Sequence, residues 1–126
     1  MALASTVTDT LGLVPSSTHS AGERQGPRSE SVWKSSYWNL KSDLPSDGDD
    51  LEAHLRKLVD LLGPKKHEIE QLVADGWELT WACFVSEDNG QGGVTLSPQI
   101  LHDLGAFPGR LWLDIYTPEA GSEPTA

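Results

Sequence analysis

The stretch WELTWACFV at 77–85 alternates strictly between two kinds of side chain. Trp77, Leu79, Trp81, Cys83 and Val85 fall on one face, and Glu78, Thr80, Ala82 and Phe84 on the other. A period of two marks a β-strand, here with one face apolar along its whole length. Such a face needs a second layer to cover it. A chain of 126 residues has room for one domain built in that way.

The covering layer is legible in the helical periods. Leu51, Leu55, Leu58 and Leu62 form one stripe, closed by Gly63-Pro64. A second helix follows over about 65–74, with Ile69, Leu72 and Val73 inward and Asp75-Gly76 as its stop. Ser97 caps a further helix and Pro98 takes its first position, where a missing N–H costs nothing. Ile100, Leu101 and Leu104 are expected to face in, and Gly105 closes the helix. At the N-terminus, Leu3, Val7 and Leu11 recur at helical spacing before Gly12 and Pro15. The rival reading of STVTDT at 5–10 as a strand is weaker, because those three residues align only in a helix.

The other predicted strands are VWKSSYWNLK at 32–41, VTLS at 94–97 and RLWLDIY at 110–116. The segment SEDNGQGG at 86–93 reads as the turn of a hairpin joining 77–85 to 94–97. Residues 16–31 are rich in Ser, Gly and Pro without a period, which predicts a long loop. The expected fold is α+β: a two-layer sandwich of about four mainly antiparallel strands with helices on one face. One domain spans 1–116, and 117–126 is expected to be a disordered tail.

These elements have a familiar order. LGLVP at 11–15 followed by Gly22, the tryptophans at 33 and 38, and LEAHLRKLVDLL at 51–62 carry it, with Ile69, SPQILHDLGA at 97–106 and LWLDIY at 111–116. On these residues the chain resembles an uncharacterised bacterial family described as domain of unknown function 4279. That family's function is not known, so the resemblance implies a fold and no activity. In the family a β-strand precedes the LGxxP helix, and the resemblance implies that this strand is missing before Leu3. The strand at 110–116 agrees, since it is apolar on one face and carries Trp112 and Tyr116 on the other, as a strand with two neighbours would. The expectation is a chain that starts one strand late, with one place in the sheet vacant.

Charge and motifs narrow the function classes. Nineteen acidic residues against nine basic give a net charge of −10, which repels nucleic acid and anionic membrane surfaces and attracts a basic protein. No basic-then-apolar leader and no apolar run of membrane-spanning length is present. With Cys83 as the one cysteine, an internal disulfide is excluded, and a reducing cytoplasm fits. Cys83 lies on the apolar face of its strand, where it serves as a small hydrophobe. His19, His54, His67 and His102 show no i, i+4 pairing for a metal, and His54 and His67 are expected on helix surfaces. DGDDLE at 47–52 holds too few features of a calcium loop and reads as a helix cap. NGQGG at 89–93 lacks the lysine of a phosphate loop. No catalytic residue, metal or cofactor is assigned.

The aromatic residues are the best functional signal, since five Trp is many for a chain of this length. Trp33, Tyr37, Trp38, Trp112 and Tyr116, with Asp114 beside the last two, are the candidate binding residues. Asp114 either binds, acts in acid–base chemistry, caps a neighbour or pairs with Arg110. The expected function is a non-enzymatic, cytoplasmic protein-binding module with an acidic, aromatic surface. Bacterial immunity proteins are a likeness of type. The alternatives are a small-ligand binder or small enzyme with its site near the 16–31 loop and the strand ends, and a homodimer formed through an open sheet edge.

Overall fold

The computed structural model describes residues 2–44, 51–86 and 94–116. The tail from 117, the acidic run 45–50 and the glycine-rich segment 87–93 lie outside the described residues. The elements run α1 (Ala4–Leu11), β1 (Ser17–His19), β2 (Tyr37–Asn39), α2 (Leu51–Leu62), a 3-10 turn (Gly63–Lys65), α3 (Lys66–Ala74), β3 (Leu79–Ser86), α4 (Pro98–Gly105) and β4 (Gly109–Tyr116). The class is α+β, as the sequence predicts, but the strands are differently placed: β1 forms inside the expected loop 16–31, and of the expected strand 32–41 only Tyr37–Asn39 is one.

The core lies between the helices and the inner face of β3. Val7 and Leu11 of α1, Leu55, Val59 and Leu62 of α2, Ile69 and Leu72 of α3, and Ile100 and Leu104 of α4 close over Trp81 and Cys83. The helical stripes hold at these positions, but Leu3 leaves the α1 stripe: it is the N-cap of the helix and is exposed. Leu101 is a correction: it is 52% exposed, because Ile100 occupies the inward position and the next residue is turned about 100° away.

The strand pairing also differs from expectation. β1 and β2 form a short antiparallel pair, with Ser17 opposite Asn39 and His19 opposite Tyr37. β3 and β4 form the long ladder, and it is parallel, from Leu79 opposite Gly109 to Ser86 opposite Tyr116. A mainly antiparallel sheet is thus overturned. The cause is local to Ser97. Its hydroxyl caps Ile100, while its N–H and hydroxyl both donate to Glu52 of α2, at 2.8 and 2.6 Å. The stretch 94–97 is drawn to a helix rather than to β3 and is not a strand. The chain then returns through α4, so it re-enters beside the start of β3 and runs parallel to it. Gly109 permits this close entry, since a Cβ there would sit 2.7 Å from Leu79 Cγ.

The long loop is more ordered than its composition suggests, because it caps α1. Leu3 at the N-cap has no side-chain oxygen to offer, and Ser20 Oγ accepts from the Ala4 N–H at 2.9 Å instead. Ser36 Oγ donates to the Ala2 carbonyl at 2.7 Å and accepts from the Ala21 N–H. Trp33 and Glu23, and Arg24 and Val32, pair across the loop. At the other end of α1, Gly12 takes the left-handed conformation at φ 68° that closes the helix. α1 is a helix through residues 5–10, so the strand reading of STVTDT falls. It packs on α3 and β2.

Candidate functional site

The binding residues singled out in the sequence separate into two places. Tyr37, Trp38 and Trp112 line one open groove of about 1360 Å³. Its apolar wall is the Leu51, Leu55 and Leu58 face of α2. Consecutive residues of β3, from Ala82 to Val85, line it as well. Neighbours in a strand point to opposite faces, so the groove meets β3 along its edge. Among the described residues β3 pairs only with β4, which leaves that edge of backbone N–H and C=O groups without a strand partner.

At the mouth of the groove, Phe84 and Trp112 stand edge to face, with ring centroids 5.6 Å apart. Phe84 is 69% exposed. Asp114 lies on the same outer face, opposite Phe84 in the ladder. It has no ion pair with Arg110, which reaches Glu78 at 3.3 Å and the Thr80 hydroxyl instead. The backbone of Tyr116 pairs with Ser86, and its side chain lies outside the described residues. Trp38 has a structural duty too: its indole N–H donates to Thr8 Oγ1 at 3.0 Å, holding β2 against α1.

Trp33 is elsewhere. Its ring stacks on His19 with centroids 3.7 Å apart and planes 8° from parallel, and Tyr37 stacks on His19 from a centroid distance of 5.1 Å. His19 Nδ1 is buried in this contact without a hydrogen-bond partner among the described residues. The sequence signals for this cluster are weak, since its members lie 14 and 18 residues from His19 and the stacking needs the β1–β2 pairing first.

The groove wall also holds a pair that periodicity does not reveal. Ser42 Oγ and His54 Nδ1 are 2.6 Å apart, and both line the groove. His54 is therefore half-buried and engaged, not a free residue on a helix surface. With Nδ1 unprotonated the hydroxyl donates to it, which is the contact a serine nucleophile makes with its base. Lys57 Nζ donates to the Ser42 carbonyl at 3.2 Å, and Asp43 next door has φ 62°, a conformation few residues other than glycine adopt. The signal in the sequence is slight, because a loop serine and a helix histidine 12 residues apart fit many folds.

Two other groups have settled structural roles. Cys83 is buried against the core, and burial pushes its thiol pKa up, away from reactivity. Asp103 is held below the usual carboxylate range, first by its hydrogen bond from Arg56 at 2.6 Å and then by Gln99. Among the described residues no group of three or more His, Cys, Asp or Glu side chains is placed to hold a metal ion. No helix among them is long and apolar enough to cross a membrane.

Comparison with known protein families gives a match. The family described as domain of unknown function (DUF4279) matches residues 4–118, so the chain belongs to that family. No curated protein and no solved structure matches it.

Proposed function

We propose that this DUF4279 chain is a cytoplasmic, non-enzymatic protein-binding module that takes an extended segment of a partner into the groove beside β3. The observation that carries this reading is the coincidence of three features along one line. The unpaired β3 edge offers backbone hydrogen bonds, the α2 leucines offer an apolar wall, and Tyr37, Trp38 and Trp112 offer amphipathic contact area. A strand added at such an edge gains affinity from main-chain hydrogen bonds and specificity from alternate side chains. The net charge of −10 favours a basic partner through long-range attraction.

Photo-crosslinking in the native host tests it. A benzoylphenylalanine in place of Phe84 is expected to give one discrete adduct with another protein. The same group in place of Val14, which is 83% exposed and does not line the groove, is expected to give none. Absence of an adduct at Phe84, or the same adduct from both positions, overturns the reading.

One observation favours a second reading, a small acyl-transfer enzyme. The 2.6 Å contact places a hydroxyl against an imidazole on the wall of a cavity. On this reading Ser42 attacks and His54 takes its proton. A fluorophosphonate would then label the chain at Ser42, and both Ser42→Ala and His54→Gln would abolish labelling. An unlabelled wild-type chain removes it.

A further inference from the structure

The second open edge of the sheet has a different character. Among the described residues β4 pairs only with β3. Leu111, Leu113 and Ile115, on the face that should meet the helices, are exposed, and so is Trp112 on the other face. Apolar side chains exposed on both faces of an outer strand are what a further strand would cover, and a long unprotected edge of this kind pairs with another chain.

The sequence of β4 says which chain fits. We infer that β4 pairs antiparallel with β4 of a second copy about a two-fold axis through Trp112, joining two small sheets into one of four strands. Residues directly opposite in an antiparallel pair share a face, so a two-fold axis normal to the sheet must pass through a residue. An axis at Trp112 sets Arg110 opposite the partner's Asp114 twice over. It also sets Leu111 opposite the partner's Leu113 on the inner face and Trp112 against its own copy on the outer face. An axis at Asp114 would oppose two like charges. An axis at Leu113 would set each Asp114 against a Trp112 and leave each Arg110 without an acid. Only the Trp112 register satisfies both the charges and the apolar residues, and self-complementarity of this kind is what a two-fold interface requires.

Arg110 is free to make the exchange, because its contacts with Glu78 and Thr80 are made on the exposed surface. Two chains of charge −10 repel, so the association belongs at physiological ionic strength, where the Debye length is about 8 Å. The inference concerns the β4 edge and shares Trp112 with the groove beside β3, so the two readings are separated by their own measurements, the oligomeric state for one and the Phe84 adduct for the other.

Analytical ultracentrifugation of the full chain over a concentration series at that ionic strength tests it. The expected result is a reversible dimer. Arg110→Asp or Asp114→Arg alone is expected to weaken dimerisation at least about tenfold, and the double variant Arg110→Asp/Asp114→Arg to restore it. Leu113→Lys is expected to abolish the dimer while the far-ultraviolet circular dichroism of the folded chain is kept. A monomer at every concentration overturns the inference, as does a dimer indifferent to the charge exchange. A monomer that still gives the Phe84 adduct would remove the dimer and leave the binding module standing.

Discussion

Trp81→Ala is expected to lower the free energy of unfolding by about 3–5 kcal/mol, the usual range for an aromatic removed from a core. Trp81 is 4% exposed, at the centre of the inner face of β3. Its ring meets Phe107 edge to face, with centroids 5.4 Å apart. All four helices contribute to the cluster around it, so no single element can collapse to fill the space. A second substitution separates volume from polarity. Trp81 Nε1 is buried without a hydrogen-bond partner among the described residues, and a buried donor left unpaired costs stability. Trp81→Phe removes that donor and keeps an aromatic ring, so its cost is expected to fall well below that of alanine. Urea melts followed by circular dichroism give both values. Equal costs for Phe and Ala would mean that the indole N–H has a partner in solution.

The features that could be read from the sequence are those decided within a few residues. The leucines of α2, the Ser97-Pro98 start of α4 and the left-handed Gly12 each depend on neighbours one turn away, and each stands where its spacing puts it. Burial of Cys83 follows from alternation in the same way. What was not legible depends on distant partners. Alternation in β3 and β4 is the same for parallel and antiparallel pairing, so direction is settled only when Glu52 claims the backbone and hydroxyl of Ser97. The cap of α1 comes from Ser20, sixteen residues on, which no N-cap pattern anticipates. Of the candidate site, Tyr37, Trp38 and Trp112 do meet in one groove, while Trp33 turns to His19. Ser42 and His54 meet because the segment after β2 folds back over α2, a path fixed by Lys57 and by the hydrogen bond from the Lys41 N–H to Ser16 Oγ.

The face of α4 supplies the other large effect. Ile100 is 0% exposed, inside the helix that carries the chain from β3 to β4 and packs on α2. Ile100→Ala is expected to cost about 2–5 kcal/mol, from lost burial and from the cavity left behind. A domain of this size has about 5–15 kcal/mol in all, so the variant would melt at a much lower urea concentration. The neighbouring Leu101→Ala is the internal control. Leu101 is 52% exposed, and its truncation is expected to change stability by no more than about 0.5 kcal/mol. Periodicity alone assigns both residues inward, so the contrast between them tests the helix rotation that the Ser97 cap and Glu52 impose. If Leu101→Ala costs as much as Ile100→Ala, α4 sits turned relative to this arrangement. The Glu52–Ser97 tie that sets that rotation would then have to be abandoned, while the parallel β3–β4 ladder stands on its own register.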